Sequence, residues 1–187
     1  MKLLSKLYAC IFTLVISYIV SAQTNSPYLS ETKLMIESID KKGNAFNAFT
    51  DYSQMILNTA TGDFLLSFDV ADLKTGDSKL DSILISKGSQ KIKFKGNIGE
   101  NLFVFNQQVN NEKMYDMSGQ LLLNNNIINC VASFDPINYG EKSNTKNYRM
   151  DFKLEIAAEK ISIIGLENKI NYQFVIEVKS GIINTQQ

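Results

Sequence analysis

Apolar and polar side chains alternate one for one over several stretches of this chain. In "RMDFKLEI", Met150, Phe152, Leu154 and Ile156 fall on one face, and Arg149, Asp151, Lys153 and Glu155 on the other. A period of two is the pattern of a β-strand with one buried and one wet face. "NYQFVIEVK" groups Tyr172, Phe174, Ile176 and Val178 in the same way, and "GDFLLSFDV" groups Phe64, Leu66, Phe68 and Val70. "QKIKFKGNI", residues 90–98, fits the template with Ile92 and Phe94 inward and Lys91, Lys93 and Lys95 outward. Less regular strand candidates are residues 33–38, 52–58, 101–105, 114–124 and 127–134.

Turn-forming residues fall between these runs. "TATGD" at 59–63, "NNN" at 124–126 and "DPINYGEKSN" at 135–144 read as turns or loops, and Gly43, Gly96 and Gly140 mark breaks nearby. "TGD" occurs at 61–63 and again at 75–77 with different flanks, which is turn chemistry and not a domain repeat. Residues 70–86 break the strand pattern. Leu80, Ile83 and Leu84 have i, i+3, i+4 spacing, which predicts a short helix or loop near residues 71–87 packed on the sheet. Residues 156–167 suggest a bend and a short strand. Many strands with one apolar face and little helix predict an antiparallel sandwich or barrel. The long helices of a parallel α/β fold are missing.

The N-terminus follows a different pattern. Lys2 and Lys6 precede an apolar run from Leu7 to Val20, and "VSA" follows. That order predicts a secretory signal peptide over 1–22, cleaved after Ala22. The run is short of the ~20 residues that a membrane-spanning helix needs. Residues 23–187 then form a single domain, periplasmic or secreted, with no stable membrane span after cleavage.

Composition narrows the chemistry. The chain has 187 residues with 19 basic and 19 acidic side chains, so losing Lys2 and Lys6 leaves it slightly acidic. A nucleic-acid binder shows a basic excess, and Arg149 is the one arginine available for bidentate phosphate or base contacts. No nucleic-acid partner is expected, and the lysines of residues 91–95 read as the outer face of a wall strand. Histidine is absent, which removes the usual general base and the commonest metal ligand. There is no Gly-rich phosphate loop, no nucleophile elbow and no Cys-x-x-Cys pair. Asp72, Asp77 and Asp81 lack calcium-loop spacing and read as a solvated loop. Cys130, the one cysteine beyond the signal segment, reads as a small buried hydrophobe. The expectation is a chain that is not an enzyme, with no catalytic residues, metal or cofactor.

At "LNTATGDFLLSFDV" and "SQKIKFKGNI" the chain resembles the YceI-like family, loosely over most of residues 32–180. Leu57 to Asp63 match the strand end and Thr-Gly turn, and Phe94, Lys95 and Gly96 the Phe-Lys-Gly position. "SGQLLLNNN", with Gly119 and Leu121, is similar to the family's hairpin, and "YRMDFKLEI" to its penultimate strand. Ser89-Gln90 and Asn124-Asn125 replace the family's Tyr-Pro and His-Gly. Residues 70–89 look shorter than the helix and loop that lie beside the family's cavity mouth. The resemblance implies an exported, lipocalin-like antiparallel barrel of about eight strands that binds polyisoprenoid or other lipids.

Two readings follow. In the first, the barrel holds a long-chain lipid or isoprenoid. Its apolar lining is then Phe64, Leu66, Phe68, Ile92, Phe94, Phe152, Leu154, Phe174 and Ile176. In the second, the same residues fill a core, and the domain is a structural or interaction module of the cell envelope. A homodimer is compatible with either.

Overall fold

The computed structural model describes residues 32–102, 114–137 and 148–186. The predicted signal segment lies outside them. Nine strands run through the described residues: β1 (Leu34–Ile39), β2 (Ala45–Thr50), β3 (Ser53–Asn58), β4 (Asp63–Asp69), β5 (Lys91–Asn97), β6 (Tyr115–Leu123), β7 (Asn126–Ile137), β8 (Tyr148–Ala157) and β9 (Gln173–Gln186). Helix α1 (Ser78–Ser86) lies between β4 and β5, and short 3-10 turns cover Val70–Asp72, Gly99–Asn101 and Ala158–Lys160.

The strands form one sheet in the order β2-β1-β9-β3-β4-β5-β6-β7-β8, and β8 returns to β9. The result is an all-β, lipocalin-like barrel whose ring runs from β3 to β9. β9 bonds β8 along one edge, and its other edge serves two strands in turn. Phe174–Val178 pair with β1, and Asn184–Gln186 pair with Ile56–Asn58 of β3. The β3–β9 ladder is parallel, while every other pairing between the strands is antiparallel. Met150 faces Gly181 but Phe152 faces Val178, so β9 carries one extra residue between them. Such a bulge bends a strand, here where its edge passes from β1 to β3.

Side-chain alternation builds the wall. Ile92 and Phe94 are each 1 % exposed, whereas Lys91, Lys93 and Lys95 are exposed. The lysines are the outer face of β5. Burying each large apolar side chain contributes about 1.5–3 kcal/mol relative to leaving it in water, so one face of every strand is committed to the interior. α1 follows from its cap and its spacing. The Asp77 carboxylate accepts from the N–H groups of Lys79 (3.0 Å) and Leu80 (3.2 Å), and Leu80 and Leu84 are buried. The two Thr-Gly-Asp segments make the same local structure. Gly62 and Gly76 have φ of 77° and 78°. In each the Asp N–H donates to the Thr hydroxyl, at 3.3 Å for Asp63 and 3.2 Å for Asp77.

Several expectations are corrected. The nine strands of the described residues agree with the expected barrel of about eight, although β2 was not among the expected strands. Its "AFNAFT" puts Phe49 on the outer side of an otherwise regular Phe46, Ala48, Thr50 inner face. Gly96 does not break β5, which runs on to Asn97 opposite β6. β7 continues through Asp135 and Pro136 to Ile137, paired with β8, so these three residues are strand and not loop. The remainder of the predicted loop, with Gly140, lies outside the described residues. The strand expected at 101–105 begins in helical backbone at Asn101 and Leu102, and residues 103–105 are not among those described. After β8, Ala158–Lys160 is a 3-10 turn and no strand forms before Gln173. The aspartates of residues 72–81 are only partly a solvated loop, since Asp77 caps α1 and Asp81 accepts from the Thr75 hydroxyl at 2.6 Å. The segment from Val70 to Ser89 keeps a helix despite its shortness.

The β4–β5 connection is tied down at Asp69. Its carboxylate accepts from Ala71 N–H (3.0 Å), Gln90 N–H (3.0 Å) and the Ser89 hydroxyl. Burial opposes its charge, but these hydrogen bonds outweigh that and hold the carboxyl below its ordinary value of 3.8. A depressed carboxyl contributes stability that is present above 3.8 and lost as pH falls through the lowered value. Asp69→Ala is expected to cost about 1 kcal/mol in urea denaturation at pH 7, and less at pH 3. Inside the barrel, Gly96 and Gly119 face each other across β5 and β6. A Cβ on Gly119 would strike the Lys95 carbonyl and come 2.6 Å from Cζ of Phe94. Gly119→Ala is therefore expected to destabilise by about 1–3 kcal/mol. The exposed Ser118→Ala should stay within about 0.5 kcal/mol of wild type.

Candidate functional site

The inner faces of β4, β5, β8 and β9 carry the nine residues expected to line the interior. Register pairs Phe64 with Gly96, Leu66 with Phe94 and Phe68 with Ile92 on one wall. On another it pairs Phe152 with Val178, Leu154 with Ile176 and Ile156 with Phe174. All nine are buried, none more than 5 % exposed, and they belong to one continuous apolar cluster. Three rings join the walls across the interior. Phe64 stacks on Phe152 with centroids 5.6 Å apart, and Phe94 lies 5.4 Å from Phe152 and 6.3 Å from Phe64. Offset and tilted arrangements at these separations suit the ring quadrupoles. The Phe94 ring occupies the recess left by Gly96 and Gly119: built Cβ atoms on either glycine would lie within 2.8 Å of it. Both glycines make room for an aromatic ring.

The interior also includes residues not singled out from sequence. Met117, Leu121 and Leu123 of β6, Ala132 and Phe134 of β7, and Met150 of β8 are buried in the same cluster. Phe134 pairs with Phe152, and its ring lies 5.7 Å from that of Tyr115. β6 advertised its inner face through Met117, Leu121 and Leu123. β7 did not, because its outer face is also apolar: Ile127 and Val131 are 63 % and 54 % exposed. Cys130 faces inward on β7, half-buried against the cluster. Burial pushes its thiol above the ordinary value, away from a reactive thiolate.

Polar side chains are few around this interior. Among the described residues, the buried polar side chains are Thr32, Ser38, Asp40, Thr50, Ser53 and Gln90, and none sits within β4 to β8. Among the described residues no group of three or more His, Cys, Asp and Glu could hold a metal ion. The part of the interior walled by β4 to β8 offers dispersion contacts and desolvation, and at its edge Ser53 of β3, opposite Phe68, brings a buried hydroxyl that donates to the Thr32 carbonyl at 2.8 Å.

One end of the barrel is capped. α1 and residues 158–172 close it, with Leu80, Leu84, Ile163, Leu166 and Ile170 buried beneath. Gln90 fastens the cap to the start of β5. Its amide donates to the Ile164 carbonyl and accepts from the Ile164 N–H, both at 3.1 Å. On the outside, Tyr52, Gln54, Leu65, Ser67, Lys91 and Lys93 border an open groove of about 530 Å³. At its edge burial and the nearby Asp69 charge push the Asp72 carboxyl up. The groove lies on the wet face of the strands that carry the apolar interior.

This architecture is similar to the solved structure of a polyisoprenoid binding domain from Saccharophagus degradans implicated in plant cell wall breakdown. The match has a TM-score of 0.57 at 16 % identity and covers 81 % of this chain and 92 % of that one. At that identity the likeness is one of fold. No protein-family model matches the chain, and no curated protein does. The chain therefore shares the fold of a polyisoprenoid binding domain, reached with a largely different set of residues.

Proposed function

We propose that this protein is an exported, non-catalytic lipid-binding barrel of the YceI-like kind, periplasmic or secreted. Its ligand is an isoprenoid-like or fatty hydrocarbon chain held among the inward side chains of β4, β5, β8 and β9. The carrying observation is the apolar lining, from Phe64 and Leu66 through Phe94 to Phe152, Leu154 and Ile176, with no buried polar side chain among the described side chains of those strands. Each CH₂ transferred from water to such a lining contributes about 0.8 kcal/mol. A chain of ten or more carbons thus gains substantial affinity without any polar contact. The shared fold with a polyisoprenoid binding domain supports the same ligand class.

A second reading, a filled core in an envelope interaction module, is favoured by one fact. The rings of Phe64, Phe94 and Phe152 already touch one another and are at most 3 % exposed. Under the first reading these rings must part or shift when a chain enters.

Native mass spectrometry of the protein purified from its own host separates the two. A co-purified hydrocarbon, and saturable uptake of labelled isoprenoid or fatty acid, are expected. Phe94→Ser should reduce that uptake by tenfold or more, on the order of 1.4 kcal/mol, while the far-UV spectrum stays that of a sheet. A protein without bound lipid that takes up neither label is the filled-core module.

A further inference from the structure

The two halves of the interior are filled by different kinds of side chain. In the capped half, Phe68 and Ile92 face each other where β4 and β5 connect. Ile156 and Phe174 do the same beside residues 158–172. Leu84, Ile163 and Leu166 of the cap are buried in the same cluster, as a second layer. Among the described residues, no methionine belongs to that half. The half away from the cap holds Met117, close to the start of β6, and Met150, close to the start of β8. Met55 of β3 joins them, and all three are 0 % exposed. The other described methionines, Met35 and Met114, are not buried.

These methionines touch the rings and the loosest part of the wall. A Cβ on Gly96 would stand 2.6 Å from Met117 Sδ and 2.8 Å from Cε1 of Phe94, so Met117 and Phe94 share one recess. A Cβ on Gly181 would stand 2.6 Å from Met55 Sδ, and Gly181 is the register partner of Met150. Here β9 carries its extra residue, between Val178 and Gly181. On its other edge the β1 ladder ends at Val178 and the β3 ladder begins at Asn184. Methionine is unbranched, with three rotatable bonds and a polarizable sulfur, and it repacks at little cost. Isoleucine is stiff at χ1. The rings of Phe64, Phe94 and Phe152 thus have movable neighbours on one side and a fixed, double-layered core on the other.

We propose that the hydrocarbon chain lies in the half of the barrel away from the cap, in space made when Met117 and Met150 swing aside and the three rings part. The capped half stays packed. The inference rests on the lipid-binding reading and narrows it: Phe68, Ile92 and Phe174 are core, while Phe64, Phe94 and Phe152 meet the ligand. Met117 and Met150 set the width of the site. Flexible methionine surfaces repack around differently shaped partners, so the site takes linear fatty chains and methyl-branched isoprenoid chains alike.

The test uses the full chain with isotope-labelled methyl groups on methionine and isoleucine, followed by NMR as palmitate or farnesol is added. The methyl signals of Met117 and Met150 are expected to shift saturably with either ligand, while those of Ile92, Ile156, Ile163 and the outer-face Met35 hold. Met117→Ile/Met150→Ile keeps the side-chain volume but adds a branch at Cβ, and should lower uptake of both ligands about tenfold. Met117→Leu/Met150→Leu, branched farther out, should lose less. Ile163→Val under the cap should lower the urea midpoint and leave uptake as in wild type. Wild-type uptake with shifts at Ile92 and Ile156 as large as at Met117 and Met150 overturns the inference and leaves the lipid-binding reading standing. Undiminished uptake by Met117→Ile/Met150→Ile does the same. If that variant does not fold, the methyl shifts of the wild type decide. Uptake of one ligand alone assigns a fixed width and overturns the adaptable site. No saturable uptake of either ligand by wild type overturns the lipid-binding reading and this inference together.

Discussion

A strand in the middle of a sheet must satisfy its backbone N–H and C=O groups on both edges, and for Gln173–Gln186 that demand is met by three different partners. β8 takes one edge for most of the length, while β1 and β3 divide the other. An unpaired buried backbone group costs about as much as a lost hydrogen bond, so the position of this strand decides where the remaining strands can go. The extra residue near Val178 and Gly181 lets one strand face two neighbours that arrive in opposite directions. Without the β3–β9 ladder the sheet would remain an open ribbon, and its apolar face would have nothing to close upon.

Closure gives the inner face its properties. Once β3 to β9 form a ring, every inward residue meets others from across the barrel, which is how Phe64 of β4 comes to stack on Phe152 of β8. These two are far apart along the chain and on strands that do not pair. The glycines facing each other on β5 and β6 belong to the same construction. They thin the wall where the Phe94 ring needs depth. The three rings of Phe64, Phe94 and Phe152 touch one another, so a guest between those walls has to move them.

Much of the fold could be read from periodicity because a one-sided wall writes itself into the chain as alternation. β4, β5, β8 and the first half of β9 are legible for that reason, and the spacing of Leu80 and Leu84 gave α1. β2 was hidden by Phe49, which is apolar on the outer side, and by Asn47 and Ala45, which are weak strand formers. Gly96 looked like a break because glycine usually is one. Its role is a side-chain contact from Phe94, and no local pattern announces contacts between residues on different strands. Orientation of the nine candidate residues was legible for the same reason as the strands. The order of pairing was not, since strand order depends on which edges meet and period-two patterns are the same for every neighbour.

The β3–β9 ladder has a further consequence. It spans three pairs and joins residues 56–58 to residues 184–186, so the contact that shuts the ring joins segments far apart along the chain and needs the last of the described strands. Contacts of large sequence separation form late, because the loop between them must first be ordered. During synthesis the neighbours β3, β4, β5 and β6 can pair as they emerge, but the ring cannot close before β9 has emerged. A polypeptide built this way stays an open sheet through most of its synthesis, with its apolar face waiting for the strand that closes it.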